Sequence, residues 1–318
     1  MKCSKLILIS FLSLLQVSAM SAEVDQFTRS DEFLADSSAL LNTNANKSIS
    51  QAIKLANSEG KGCREEVLYD ELKVYFANHT KGKLVIDLIE NPAYSKRHIE
   101  IKDSIFQDWT IWDGVGLGFT LISSNGVTMS DIIRVGEQEV GVDKFEHMFG
   151  QGFNYFKKNY LKGKGEIAAV KKGIFGEKFL LGGQKIGNGV FSYGDLSANF
   201  NGMRFWNHVL QKHDDVLGAD RNLGPYVSCV NDKWVKAKEV DFKNYIDESM
   251  NESINCSKYP SNNTLQKLKN RLKIMGVTCP MNQQKLDDLQ VKYRQMAKWI
   301  INMDGPGEVK YFREFKDK

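Results

Sequence analysis

The chain has 318 residues, of which 42% are hydrophobic, 11% aromatic and 26% charged, a balance that suits one large core or two smaller ones and excludes collagen, coiled coil and wholesale disorder. Its 43 Lys and Arg against 39 Asp and Glu give a net charge of +4. Without Lys2 and Lys5 of the leader the excess falls to +2, which is no nucleic-acid footprint.

Met1-Lys2-Cys3-Ser4-Lys5 precedes an apolar run from Leu6 to Val17, then small residues up to Ala22 and the acidic Glu23. This reads as a secretory signal peptide over residues 1–22. The run is shorter than the roughly 20 residues a spanning helix needs, so the mature chain is expected to have no transmembrane span. The expected location is outside the cytoplasm, periplasmic or secreted.

Removal of Cys3 leaves Cys63, Cys229, Cys256 and Cys279. An even number in an oxidising compartment predicts two disulfides. The pairing expected is Cys229 with Cys256 and Cys63 with Cys279, and buried free thiols are the alternative. No Cys-x-x-Cys pair occurs and the histidines stand in no ligand-spaced register with the cysteines, so no structural zinc site is expected; His208 and His213 followed by Asp214 and Asp215 resemble a metal-ligand run, yet no residue is assigned as a metal ligand.

Residues 23–46 are Asp-, Ser-, Asn- and Thr-rich and are expected to be poorly ordered. A helical core domain is expected over 47–218 and a disulfide-braced helical region over 219–318. Ile49, Ile53 and Ala56 fall at helical spacing, as do Val67, Leu68, Leu72, Tyr75 and Phe76. Residues 83–90 suit strand or helix, and the alternation from His98 to Asp103 suggests a strand. Gly114, Gly116 and Gly118 alternate inside an apolar stretch with no phosphate-loop signature, which predicts close backbone packing. Ile132 to Val140 predicts a hairpin. Three helices follow, ending near Asn159, running from about Gly165 to Leu181, and starting at Tyr193. Beyond them the sequence predicts an extended 226–230 and helices over 242–255, 265–275 and 283–301. The fold class is therefore mainly α, a helical core with a few short strands or hairpins.

Asp143 and His147 stand four apart, one helical turn, and Asp195 and Asn199 repeat the spacing. If the two Phe-rich helices pack, an imidazole, two carboxylates and an amide converge, with Glu177 as a further member. Such a group can orient a general base or bind a cation. His147, Asp143, Asp195 and Glu177 are the catalytic candidates; Asn199, Tyr193 and Ser192 are the ligand-binding candidates. The competing structural reading makes Asp143 and Asp195 helix N-caps and the cluster a hydrogen-bonded helix clamp. Ser192 lacks a nucleophile elbow. Arg204 reads as a surface salt bridge, and His208, His213, Asp214 and Asp215 as solvated charge at a helix end. The basic stretch from Lys267 to Lys273 reads first as a core-packing helix.

Asp143-Lys144-x-x-His147-x-Phe149 and the later Phe191-Ser192-Tyr193-Gly194-Asp195-Leu196-x-Ala198-Asn199-x-x-Gly202 resemble the paired motifs of bacterial exported proteins, and more distantly those of predicted periplasmic lipoproteins and VanZ-like membrane proteins. The resemblance covers 141–205 and implies an envelope setting without a particular reaction. This chain lacks the membrane spans of the VanZ-like group, so an integral-membrane role does not follow. The function expected is an exported envelope protein with a His/Asp clamp that is structural or ligand-binding; the alternative is an envelope-directed, hydrolase-like enzyme, with or without the help of a metal ion, using His147 with Asp143, Glu177 and Asp195. An envelope component is the expected partner, and no cofactor or oligomeric state is assigned.

Overall fold

A computed structural model describes residues 23–77, 81–114, 129–181 and 187–309. The leader and most of the Gly114–Gly118 stretch lie outside them. The protein is mainly α, about 52% helical and 9% strand.

Helix α1 (Ser38–Ser58) is followed by α2 (Glu65–Phe76) and α3 (Lys83–Glu90). Strand β1 (Lys96–Arg97) then pairs with β2 (Ile132–Val135), which pairs with β3 (Gln138–Gly141). The sheet is antiparallel, with Ile133 opposite both Lys96 and Val140. Helix α4 covers 143–161, α5 covers 166–181, and α6 is Tyr193–Leu210. A hairpin of β4 (Val227–Val230) and β5 (Lys233–Lys236) follows, then β6 (Lys258–Tyr259), α7 (Asn262–Met275), α8 (Gln283–Tyr293), α9 (Ala297–Ile300) and β7 (Gly307–Glu308), which pairs in parallel with β6.

Helix α6 is the axis of the molecule, buried from Tyr193 to Val209. Phe149, Phe153, Phe76 and Phe242 pack around its Phe205 and Trp206 with ring centroids 4.9–6.3 Å apart. Burying aromatic area of this kind is the largest favourable contribution available to a helical core. The polar residues of α6 each meet a partner. Ser197 Oγ donates to the Ile300 carbonyl at 3.0 Å, Asn201 Nδ2 to Tyr293 Oη at 2.7 Å, and Asn207 Nδ2 to the His213 carbonyl at 2.9 Å. An axis buried on all sides needs these bonds, because an unmatched buried polar group costs roughly 1–3 kcal/mol.

Several expectations are corrected. Residues 38–46 are the first half of α1, and Leu41 and Ala45 are buried in the main core. Ahead of them, Gln26 donates to the Glu139 carbonyl at 2.9 Å and accepts from the Glu252 amide at 2.7 Å, tying the N-terminal segment into the interior. The main core cluster runs from Leu41 to Val309 and is not divided at 218. The strand expected over 98–103 does not form: strand β1 ends at Arg97, and a 3₁₀ turn stands at Ile101–Asp103. The stretch 242–255 holds only the 3₁₀ turns Phe242–Asn244 and Glu248–Met250, and the last helix breaks at Arg294, whose φ is 51°.

All four cysteines are bridged, but as Cys63–Cys229 and Cys256–Cys279, not in the expected pairing. Asn57 accepts from the Trp234 amide and donates to its carbonyl, both at 2.8 Å, which draws the end of α1 to the β4–β5 hairpin and Cys63 to Cys229.

Candidate functional site

The expected helix pair packs, with α4 crossing α6 at Gly152 and Gly202. Neither carboxylate is an N-cap. Asp143 is the first residue of α4 and makes no capping bond. The cap of α6 is Ser192, whose Oγ accepts from the Asp195 amide at 3.0 Å. Both carboxylates are thereby free to turn inward.

They meet at Lys144, which the sequence placed in a motif without indicating its role. Its buried Nζ donates to Asp143 Oδ2 at 2.6 Å, Asp195 Oδ1 at 2.7 Å and Glu252 Oε1 at 2.6 Å, using all three ammonium hydrogens. Burial alone would pull this lysine down, but Asp143, Asp195 and Glu252 outweigh it and hold the ammonium form. Glu252 is fixed in turn by Ser192 Oγ at 2.7 Å and Ser257 Oγ at 3.0 Å. No spacing pattern could nominate Glu252, which lies 108 residues from Lys144. Glu23, where the expected leader ends, is buried beside the same group and bonded to Asn188.

On the other side of Asp195, Oδ2 lies 3.1 Å from His147 Nε2, and His147 Nδ1 lies 3.3 Å from Asn199 Oδ1. Glu177 completes this side: one donor atom each from His147, Glu177 and Asp195 lie within 4.8 Å of one another, all three residues being buried. His147 and Glu177 each open a π-helical turn, at His147–Gln151 and Glu177–Leu181. Such turns are rare and concentrate where a helix must redirect a functional side chain.

The electrostatics are unusual. Glu23, Asp143, Glu177, Asp195 and Glu252 are all buried, and among the described residues Lys144 and His147 are the cations that act most strongly on them. Burial raises Glu177 to about 8, reinforced by Asp195, and raises Glu23 well above the carboxylate range, reinforced by Glu252. Burial also raises Asp143 and Glu252. It opposes charge on His147, but the Asp195 carboxylate outweighs it and lifts the imidazole to about 9. Asp195 itself is held below the usual range, because His147 and Lys144 overcome its burial. Three buried carboxylate oxygens, Glu23 Oε2, Asp143 Oδ1 and Glu177 Oε2, have no hydrogen-bond partner.

Of the ligand-binding candidates, Asn199 and Ser192 bond into this cluster and Tyr193 separates from it. Tyr193 lines another cavity of about 220 Å³ with Gln290, Arg294, Lys298 and Asp304. Ser192 is a buried cap, which suits it to support and not to nucleophilic attack. Arg204 is not on the surface: its Nε donates to both oxygens of buried Asp215 at 2.9–3.0 Å, and His208, also buried, lies 3.0 Å from the same carboxylate. His213 stacks on Tyr160 with ring centroids 5.2 Å apart. Cys63, Cys229 and Asp232 also converge, but the two sulfurs are joined in a disulfide and offer no thiolate. No helix among the described residues is long and apolar enough to cross a membrane. Compared with known proteins, the chain matches no family model, and no curated protein and no solved structure is detectably similar to it.

Proposed function

We propose that this is an exported envelope protein whose buried His147, Glu177 and Asp195 bind a divalent metal ion, with Lys144 clamping the helices that present them. The observation that carries the reading is the convergence of one imidazole and two carboxylates within 4.8 Å, with Glu177 Oε2 unpartnered. Donors on a tetrahedral ion with bonds of about 2.0–2.1 Å stand roughly 3.3 Å apart, near the 3.1 Å between His147 and Asp195. A mixed nitrogen and oxygen set suits a first-row ion such as Zn²⁺ or Mn²⁺. The cation would offset the excess of buried carboxylates and displace the protons that His147 and Glu177 otherwise carry. Export is supported by the leader-like N-terminus and by two disulfides, which persist in oxidising compartments.

The enclosure of His147 favours a bound ion over turnover of a macromolecular envelope substrate, so we place binding ahead of hydrolysis. Elemental analysis of protein purified without chelators, with Glu177→Gln alongside, tests the reading. About one ion per chain, lost in the variant, is expected. Metal-free wild type that takes up no added Zn²⁺ or Mn²⁺ overturns it and leaves the clamp as the whole role.

A further inference from the structure

The hairpin formed by the end of α4 and by α5 has a composition unlike the rest of the chain. Residues 157–178 hold seven lysines and two glutamates, a local excess of five, whereas the whole chain has a net charge of +4. Everything outside the hairpin is therefore net −1. One of the two glutamates, Glu177, is turned into the buried cluster, which leaves Glu166 as the hairpin's outward acid.

Five of the seven lysines face no carboxylate partner. Among the described residues, Lys157, Lys158, Lys162, Lys164 and Lys172 make no ion pair, although carboxylates are plentiful elsewhere on the surface. Lys158 and Lys172 are close enough across the hairpin for Lys172 to add to the burial that depresses the Lys158 ammonium. Like charges held together cost free energy on an isolated protein, and an anionic partner removes that cost.

The same surface exposes large apolar side chains. Leu161 is 52% exposed, Ile167 39% and Phe175 55%. Ile167, Lys171 and Phe175 recur at intervals of four along α5 and so share one stripe, while Leu161 stands across the connecting turn. Basic side chains alternating with an exposed Leu, Ile and Phe are the elements of a helix that lies in a bilayer interface, apolar groups in the acyl boundary and ammonium groups among headgroup phosphates.

We propose that this hairpin seats the protein on an anionic phospholipid surface. Charge complementarity selects the anionic lipid, and the exposed apolar stripe favours a bilayer over a polyanion such as nucleic acid, which would leave Phe175 and Ile167 without a partner. The seating element also carries Glu177, itself a member of the buried cluster, toward its C-terminal end.

Co-sedimentation of the full chain with phosphatidylglycerol-containing and pure phosphatidylcholine vesicles tests this, alongside Lys164→Gln/Lys172→Gln and Leu161→Ala/Phe175→Ala in the same background, so that any contribution of the leader cancels. Binding to the anionic vesicles that weakens with salt is expected, falling by about fivefold for each lysine neutralised. The apolar pair of substitutions should weaken it as well. Phe175→Trp supplies an independent reading: its fluorescence should shift to the blue on anionic vesicles, and circular dichroism of every variant should match wild type. Equal binding to both vesicle types, wild-type affinity in the lysine variant, or salt-sensitive binding to duplex DNA with none to vesicles overturns the proposal.

Discussion

Gly152 of α4 and Gly202 of α6 face each other so closely that a Cβ on Gly152 would fall 2.6 Å from the Gly202 Cα, and one on Gly202 would fall 1.9 Å from the Met148 carbonyl oxygen. Met148 follows His147 in the chain, so this contact sets the helix separation at which His147 reaches Asp195. Gly202→Ala should cost about 3 kcal/mol, since overpacking typically costs about 1–3 kcal/mol and the atoms met here are backbone that cannot rotate away. The gain in helix propensity, about 1 kcal/mol, is too small to offset it. Denaturant unfolding measures the loss; a neutral or stabilised variant contradicts the close crossing.

His147→Ala and Asp195→Ala should each destabilise and should not add. Residues in one network couple by about 0.5–3 kcal/mol, whereas distant residues add to within about half a kcal/mol. Asp195 also serves Lys144, so its loss should be the larger of the two. Melts of both single variants and the double variant at one pH give the coupling, and strictly additive losses would remove the contact as an energetic link.

The Arg204–Asp215 pair sits in the interior, where breaking one partner leaves an uncompensated charge. Asp215→Asn should therefore cost about 3–5 kcal/mol at neutral pH. An exposed pair would be worth at most about 1 kcal/mol. A loss below 1 kcal/mol in chemical denaturation would show that Arg204 finds water or another partner.

The same residue predicts a pH dependence. Burial opposes the Asp215 carboxylate, but His208 and Arg204 outweigh it and hold its folded-state value below the ordinary one. Its contribution to stability is complete above the unfolded value near 3.9 and is lost as pH falls through the lower folded value. The stability gap between wild type and Asp215→Asn should thus be full at pH 7 and shrink below about pH 4. Urea titrations at a series of pH values check it, and a gap that widens in acid would reverse the assignment.

The two disulfides should differ in weight. Their sequence separations are 166 for Cys63–Cys229 and 23 for Cys256–Cys279. Loop-closure entropy then assigns them about 5 and about 3.4 kcal/mol respectively, within a model that engineered bridges often fall short of. Replacing each pair by serine and comparing denaturation midpoints tests the order. A larger loss from the Cys256–Cys279 pair would mean that local geometry outweighs chain entropy.

Local chemistry made much of the architecture legible. The helices from 65, 143, 166 and 193 and the hairpin at 132–141 follow from apolar spacing and turn residues, because an amphipathic face is a periodic signal, whereas 83–90 suited strand as well as helix. The central helix pair, and with it Asp143, His147, Asp195 and Asn199, could be nominated from four-residue spacing, and Glu177 from its place near the end of the intervening helix. Periodicity failed where burial is complete. Helix α6 carries Asp195, Ser197, Asn199, Asn201, Arg204, Asn207 and His208 on an axis with no solvent face, so Arg204 and His208 looked like surface charge.

The sequence by itself determined the mainly α class, the participation of four cysteines in bridges and the identity of the helix pair, since each depends on residues close in the chain or on simple parity. Only the tertiary structure decided which cysteines pair, that Lys144 gathers Asp143, Asp195 and Glu252, and that Glu23 and Gln26 belong to the interior. Several of those contacts, among them Cys63–Cys229, Lys144–Glu252 and Gln26–Glu252, join segments more than a hundred residues apart, and no spacing rule reaches that far. They form because a buried ammonium must find carboxylates and a buried carboxylate must find donors, wherever in the chain these lie.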